Sequence, residues 1–139
     1  MKRSDFGFFH ELRVRYAEVD SQGIVFNAHY LTYFDTAITE YLRRIGHDYA
    51  ALVAERGLDF HLVKSTVEYL APVRNDALLD IGVAAGRIGR SSITWQLGIF
   101  PAGAAQLLSR GEIVWVCSRV GEHRSHALPQ DLVALLARA

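Results

Sequence analysis

The sequence predicts an α+β domain: an antiparallel sheet of about five strands wrapped around one long helix. Two patterns carry that expectation. From Leu31 to Ile45, apolar residues recur every three or four positions, the period of one helix face. After Gly57 the period falls to two, and turn residues return about every twelve positions, the rhythm of an antiparallel meander. An amphipathic helix must bury its stripe, and the inner face of such a sheet suits it.

Residues 6–16 (FGFFHELRVRY) read as the first strand, because Leu12, Val14 and Tyr16 alternate with Glu11, Arg13 and Arg15. Ala17 to Gly23 is polar and reads as a loop. The helix follows from about Asn27, the expected N-cap, through Leu31, Phe34, Ile38, Tyr41, Leu42 and Ile45. It ends at Gly46, with Arg43 and Arg44 in the last turn, where cations suit the negative end of the helix dipole. Asp48 to Arg56 is a second short helix closed by Gly57.

Four strands are then expected in succession, at 60–71, 78–88, 92–100 and 106–118. The clearest is the third, with Ile93, Trp95, Leu97 and Ile99 on one side. The first places Val63, Val67, Tyr69 and Ala71 on one face, and the last Leu107, Ile113, Trp115 and Cys117. Pro72 to Asp76, Gly89-Arg90 and Pro101 to Gly103 supply the turns. Pro129 with Leu132, Leu135 and Leu136 suggests a final short helix.

With 139 residues and no internal repeat or low-complexity stretch, the chain reads as one domain, 1–139. Hydrophobic residues make up 50% and charged residues 22%, a globular balance. The 15 basic and 15 acidic residues cancel, so no bulk field favours nucleic acid. The lone Cys117 lies in an apolar run and reads as a buried, inert thiol. No apolar run is long enough to span a bilayer, and no apolar segment follows the basic start as in a signal peptide. The cytoplasm is therefore the expected location.

No nucleophile-elbow, phosphate-loop or zinc-helix motif occurs, and none of the 6 histidines forms an i,i+4 pair, so no metal site is expected. The chemistry concentrates in Tyr16 to Tyr30, where a carboxylate, Asp20, stands in the loop just before the long helix. A helix start offers unpaired N–H groups and a partial positive charge, which suit a carbonyl or an oxyanion. A nearby carboxylate can attack that carbonyl or take a proton from attacking water. Residue physics alone favours the plainer reading of Asp20 as a loop or capping residue. Glu18, the other carboxylate here, reads as a surface or supporting residue.

Val14 to Glu40, VRYAEVDSQGIVFNAHYLTYFDTAITE, resembles the signature of the 4-hydroxybenzoyl-CoA thioesterase branch of the hotdog-fold family. Asp20, Gly23, Val25, Asn27, Tyr30, Tyr33 and Phe34 fall on that pattern. The likeness continues in order through Val67 to Asp76, Gly86 to Ser92 and Leu128-Pro129, so it covers nearly the whole chain. The chain is also similar to acyl-CoA thioesterases associated with the Tol-Pal envelope system.

The resemblance implies a hotdog fold and hydrolysis of an acyl- or aroyl-CoA to the free acid and CoA, without metal or cofactor. It maps the catalytic carboxylate, nucleophile or general base, to Asp20. It places the thioester oxygen at the backbone N–H of Asn27 or its neighbour, with Gly23 shaping the loop. Relatives with a histidine near the helix start have Asn27 at that position here, and His29 lies two residues later. Arg87, Arg90, Ser91 and Ser92 would bind the nucleotide end of CoA, although arginines also serve simply to solvate a turn. Tyr30 and Phe60 would line the acyl pocket, although each also suits ordinary core. A homodimer or homotetramer with sites built between subunits is implied. The alternative is a non-catalytic acyl- or CoA-binding module; Asp20 at the catalytic position favours the enzyme. A hotdog dehydratase is a third option, but its pairing of a histidine with an acid on the helix is not evident.

Overall fold

A computed structural model describes residues 1–139. Its elements, in chain order, are β1 (Phe9–Arg13), α1 (His29–Arg44), α2 (Tyr49–Arg56), β2 (Leu58–Tyr69), β3 (Leu78–Ile88), β4 (Ser92–Pro101), β5 (Ser109–Arg119) and α3 (Gln130–Arg138). The five strands form one antiparallel sheet in the order β1-β3-β4-β5-β2. The α+β class and the helix-against-sheet arrangement are as expected.

The sheet's inner face carries Ile93, Trp95, Leu97 and Ile99 of β4, all fully buried. Phe34, Ala37, Ile38, Tyr41 and Leu42 of α1 join them in one core. Each fully buried large side chain of this kind contributes ~1.5–3 kcal/mol. Tyr41 meets Trp95 edge-on, and Trp95 meets Trp115 of β5 in the same way. α2 starts as expected: the Asp48 side chain accepts the Ala51 N–H at 3.0 Å, and Gly57 ends it in the left-handed conformation. Near the N-terminus, Arg3 pairs with Asp80 and lies over the Phe9 ring, fastening the first residues to the β1 edge.

Five expectations need correction. First, β1 stops at Arg13, and Tyr16 is 84% exposed in a short 3₁₀ turn, Tyr16–Glu18. The alternation continues past the strand because Val14 is still buried, but the Arg15 N–H is taken by the Glu18 side chain instead of a neighbouring strand. Second, the buried stripe of α1 runs through Tyr30, Tyr33 and Phe34, and leaves Leu31 exposed. Third, Asn27 does not cap α1. Ala28 occupies the cap position in helical geometry, and no side chain accepts there. Fourth, the last four strands are not one meander. β2 pairs with β5, and β1 takes the place beside β3. The 70–77 connection is too long for a tight hairpin and crosses the end of the sheet, where it meets the loop before α1. Val63 also leaves its expected face: it stands at a bulge in β2 and is exposed.

Candidate active site

The crossing described above builds the site. After the 3₁₀ turn the chain doubles back, and Val19 bridges Val25. Within this loop the Asp20 N–H donates to Ile24 O at 2.9 Å, and Asp20 O accepts the Gly23 N–H at 3.0 Å. Asp20 Oδ1 accepts the Gln22 N–H at 2.8 Å. Gly23 has φ +77°, and a Cβ there would meet nothing within 4 Å. Backbone conformation, not crowding, therefore demands glycine. The 70–77 connection holds the loop from outside: the Val25 N–H donates to Val73 O at 2.8 Å, and Ile24 bridges Arg74.

This leaves Asp20 half-buried on a cleft of about 330 Å³, shared with Asn27, Tyr30, Tyr69, Leu70 and Pro72. At the cleft's other side, α1 is entered by a turn. The His29 N–H donates to Phe26 O at 3.0 Å, and the Tyr30 N–H to Asn27 O at 3.3 Å. Asn27 O also accepts the Tyr69 hydroxyl at 3.0 Å. The Asn27 and Ala28 N–H groups donate to nothing in the chain. Asp20 thus borders the same cleft as Asn27, whose N–H is free at a helix start, where the dipole favours negative charge. That combination can polarise a carbonyl and deliver a base or nucleophile to it.

Sequence reasoning underrated Glu18, which is 5% exposed. Its Oε1 accepts the Arg15 N–H at 2.8 Å and the Tyr33 hydroxyl at 2.9 Å, and Arg15 Nη2 reaches Oε2 at 3.1 Å. Its main-chain carbonyl accepts the Phe26 N–H at 2.9 Å. Glu18 therefore ties the Asp20 loop to α1. The signal was present: Arg15 and Glu18 stand three apart, the spacing at which a carboxylate returns to the preceding backbone N–H.

Burial alone pushes the Glu18 pKa up, but hydrogen bonds from the Arg15 amide, the Arg15 guanidinium and the Tyr33 hydroxyl outweigh it. The folded-state pKa is held below the usual carboxylate range. The resulting stability is fully present above the unfolded-state pKa, and is lost as pH falls through the folded one. Glu18→Gln is expected to flatten the acid limb of a plot of thermal midpoint against pH. An unchanged acid limb would remove Glu18 from the groups that set it.

Other expected site residues lie elsewhere in the chain. Phe60 lines a separate and larger cavity of about 850 Å³, between α2, the C-terminal half of α1 and β2, with Tyr49 and Trp115. Arg87, Arg90, Ser91 and Ser92 lie around the β3–β4 hairpin; both arginines are exposed and neither makes an ion pair. Register separates these groups from the cleft. Ser92 aligns with Val116 near Phe60, whereas Ile99 aligns with Ser109 beside Tyr69. At ~3.3 Å per residue, the two ends are ~20 Å apart. Tyr30 does lie with Asp20; its ring is buried and meets Tyr69 edge-on. No group of three or more His, Cys, Asp or Glu side chains is arranged to hold a metal ion.

A family profile described as "Thioesterase superfamily" matches residues 22–106. The chain is 35% identical over 123 residues to the acyl-CoA thioester hydrolase YbgC of Escherichia coli O6:H1, covering 88% of this chain and 90% of the relative. Among solved structures, the PA5185 protein of Pseudomonas aeruginosa superposes with a TM-score of 0.88 at 30% identity, covering 99% of this chain and 94% of the other. Slr0204 of Synechocystis, a 1,4-dihydroxy-2-naphthoyl-CoA thioesterase, superposes with a TM-score of 0.86 at 22% identity, covering 94% and 95%, and so shares the fold.

Proposed function

Because the chain belongs to the thioesterase superfamily, we propose that its Asp20 cleft is the catalytic part of an acyl-CoA thioester hydrolase. One observation carries this reading: half-buried Asp20 and Asn27, whose N–H is free at the helix start, line one cleft. The thioester carbonyl oxygen rests against the N–H of Asn27 or Ala28, where the developing negative charge is stabilised. The Asp20 carboxylate then either attacks the carbonyl carbon, giving an acyl-enzyme that water opens, or deprotonates the attacking water. Either way the C–S bond breaks and the products are the carboxylic acid and the CoA thiol. A thiol is far more acidic than an alcohol and leaves readily as the thiolate, so a strong dedicated acid is unnecessary. The reaction as proposed draws on no cofactor or metal.

The working unit in this reading is a homodimer or a larger homo-oligomer. The outer edge of the sheet, β2, exposes Leu62 and Val63, followed by Leu70, an unpaired apolar edge that needs covering. Two β2 edges paired antiparallel about a two-fold axis set the Tyr69 end of one strand against the Phe60 end of the other. The Asp20 cleft then meets the partner's Phe60 cavity and the sheet end bearing the partner's Arg87–Ser92 hairpin. Arginines there suit the phosphates of CoA. We place the protein in the cytoplasm, with no nucleic-acid partner. No helix is long and apolar enough to cross a membrane.

The direct test is thiol release, followed spectrophotometrically, over a panel of acyl- and aroyl-CoA esters. Turnover supports the proposal; binding of the esters without release from any of them would indicate the non-catalytic module instead. The shared site makes a separate prediction. Asp20→Asn and Arg87→Ala/Arg90→Ala chains should each be impaired alone. Co-assembled, they should regain activity, because one of the two sites then combines an intact Asp20 with intact arginines. No recovery in verified hybrid oligomers would argue against arginines contributed across the interface.

A further inference from the structure

The Tyr69 hydroxyl reaches from the end of β2 to the carbonyl of Asn27 at 3.0 Å, across the mouth of the Asp20 cleft. This contact joins the sheet edge to the turn that opens α1. The Asn27 carbonyl and the Ala28 N–H are two ends of one rigid peptide plane. A bond that fixes the direction of the carbonyl therefore fixes the direction of that N–H. Accepting a hydrogen bond at the oxygen also strengthens the N–H of the same peptide as a donor. The only other partner of the Asn27 carbonyl is the Tyr30 N–H, at a longer 3.3 Å. No side chain caps this helix start, so nothing else from the loop holds the peptide. The Tyr69 ring is steadied by an edge-on contact with buried Tyr30 at 4.7 Å between centroids.

We infer that Tyr69 is a positioning residue for thioester hydrolysis, holding the Asn27–Ala28 peptide and with it the turn that carries the free Asn27 and Ala28 N–H groups. This rests on the reading of the cleft given under Proposed function. Tyr69 touches the peptide and not the reacting bond, so its loss loosens the amides without removing them. The effect should be smaller than loss of an oxyanion donor, which costs ~10²–10³ in kcat.

Tyr69→Phe removes only the hydroxyl and keeps the ring against Tyr30. With an acyl-CoA that the wild type hydrolyses, kcat should fall about tenfold, while KM stays within about twofold, because the interaction matters mainly in the transition state. The thermal midpoint should move by no more than about 2 °C, the effect of a fraction of a kcal/mol. Independently of activity, the Ala28 amide proton resonance should shift upfield in the variant, as loss of the carbonyl's bond weakens the donor. An unchanged kcat, or a fall in kcat with the Ala28 amide resonance unmoved, overturns the inference while leaving the thioesterase reading intact. A parallel loss of stability and activity makes Tyr69 a merely structural residue and also overturns it. Failure of the wild type to release thiol from any ester, with the Ala28 shift still present, refutes the thioesterase reading and this role with it.

Discussion

Asp20→Asn is expected to leave the fold intact and lower kcat by at least ~10²-fold, the lower range for general-base catalysis. The structure explains why the fold should survive. Asp20 Oδ1 already accepts the Gln22 N–H, and an asparagine side-chain oxygen can keep that bond. The loop's main-chain bonds, from Asp20 N–H to Ile24 O and from Gly23 N–H to Asp20 O, do not involve the side chain at all. What changes is the second oxygen, replaced by an amide nitrogen that neither attacks a carbonyl nor takes a proton from water. The measurement is kcat by thiol release beside the thermal midpoint. A folded variant keeping more than about a third of wild-type kcat would remove Asp20 from the chemistry. Asp20→Ala is a poorer probe, because it also deletes the bond to Gln22 and loosens the loop.

The same loop shows what a sequence reveals and what it withholds. Asp20, Gly23 and the helix after them were legible as a pattern, because a turn glycine and an apolar 3.6-residue period are local properties. The strand faces of β4 were legible for the same reason, since Ile93, Trp95, Leu97 and Ile99 alternate strictly. Partnership was not local. Periodicity says that residues 58–69 form a strand but not that β5 is their neighbour, and the 70–77 connection carries no signal for the crossing it makes. The phase of α1 was misread at its start because tyrosines sit between polar and apolar. Tyr30 and Tyr33 are buried where Leu31 is exposed; the Tyr33 hydroxyl has a partner there and donates to Glu18. Glu18 itself looked like a surface charge, and only the convergence of Arg15 and Tyr33 makes its burial tolerable. Asn27 had the residue type of a cap, but Ala28 takes the cap position and no side chain accepts there. The division of Asp20 from Phe60 and the Arg87–Ser92 hairpin follows from strand register, which no composition or motif encodes.

The largest expected loss of stability comes from a glycine far from any turn. Gly111 of β5 lies beneath the ring of Phe34, and a Cβ built there would stand 2.4 Å from Phe34 Cε2. Phe34 is fully buried, so its ring cannot swing into solvent to make room. Two effects oppose each other in Gly111→Ala. Alanine restricts the unfolded chain, which favours folding by ~0.4–1 kcal/mol. Overpacking a filled core costs ~1–3 kcal/mol, and a contact this short lies in its upper part. Packing wins, and the expected net loss is ~1–2 kcal/mol, a fall of roughly 3–8 °C in thermal midpoint for a domain of this size. Because Phe34 follows Tyr33, which is bonded to Glu18, displacement of the ring should also disturb α1 near its start and lower kcat. Phe34→Leu provides the decisive comparison. Alone it leaves a void; combined with Gly111→Ala it gives the new methyl the space that the ring held. The double variant should therefore be more stable than the sum of the single losses by about 1 kcal/mol or more. Losses that add within about 0.5 kcal/mol would mean that the two residues do not press on each other, and that the tolerance of β5 for a side chain at position 111 is set elsewhere.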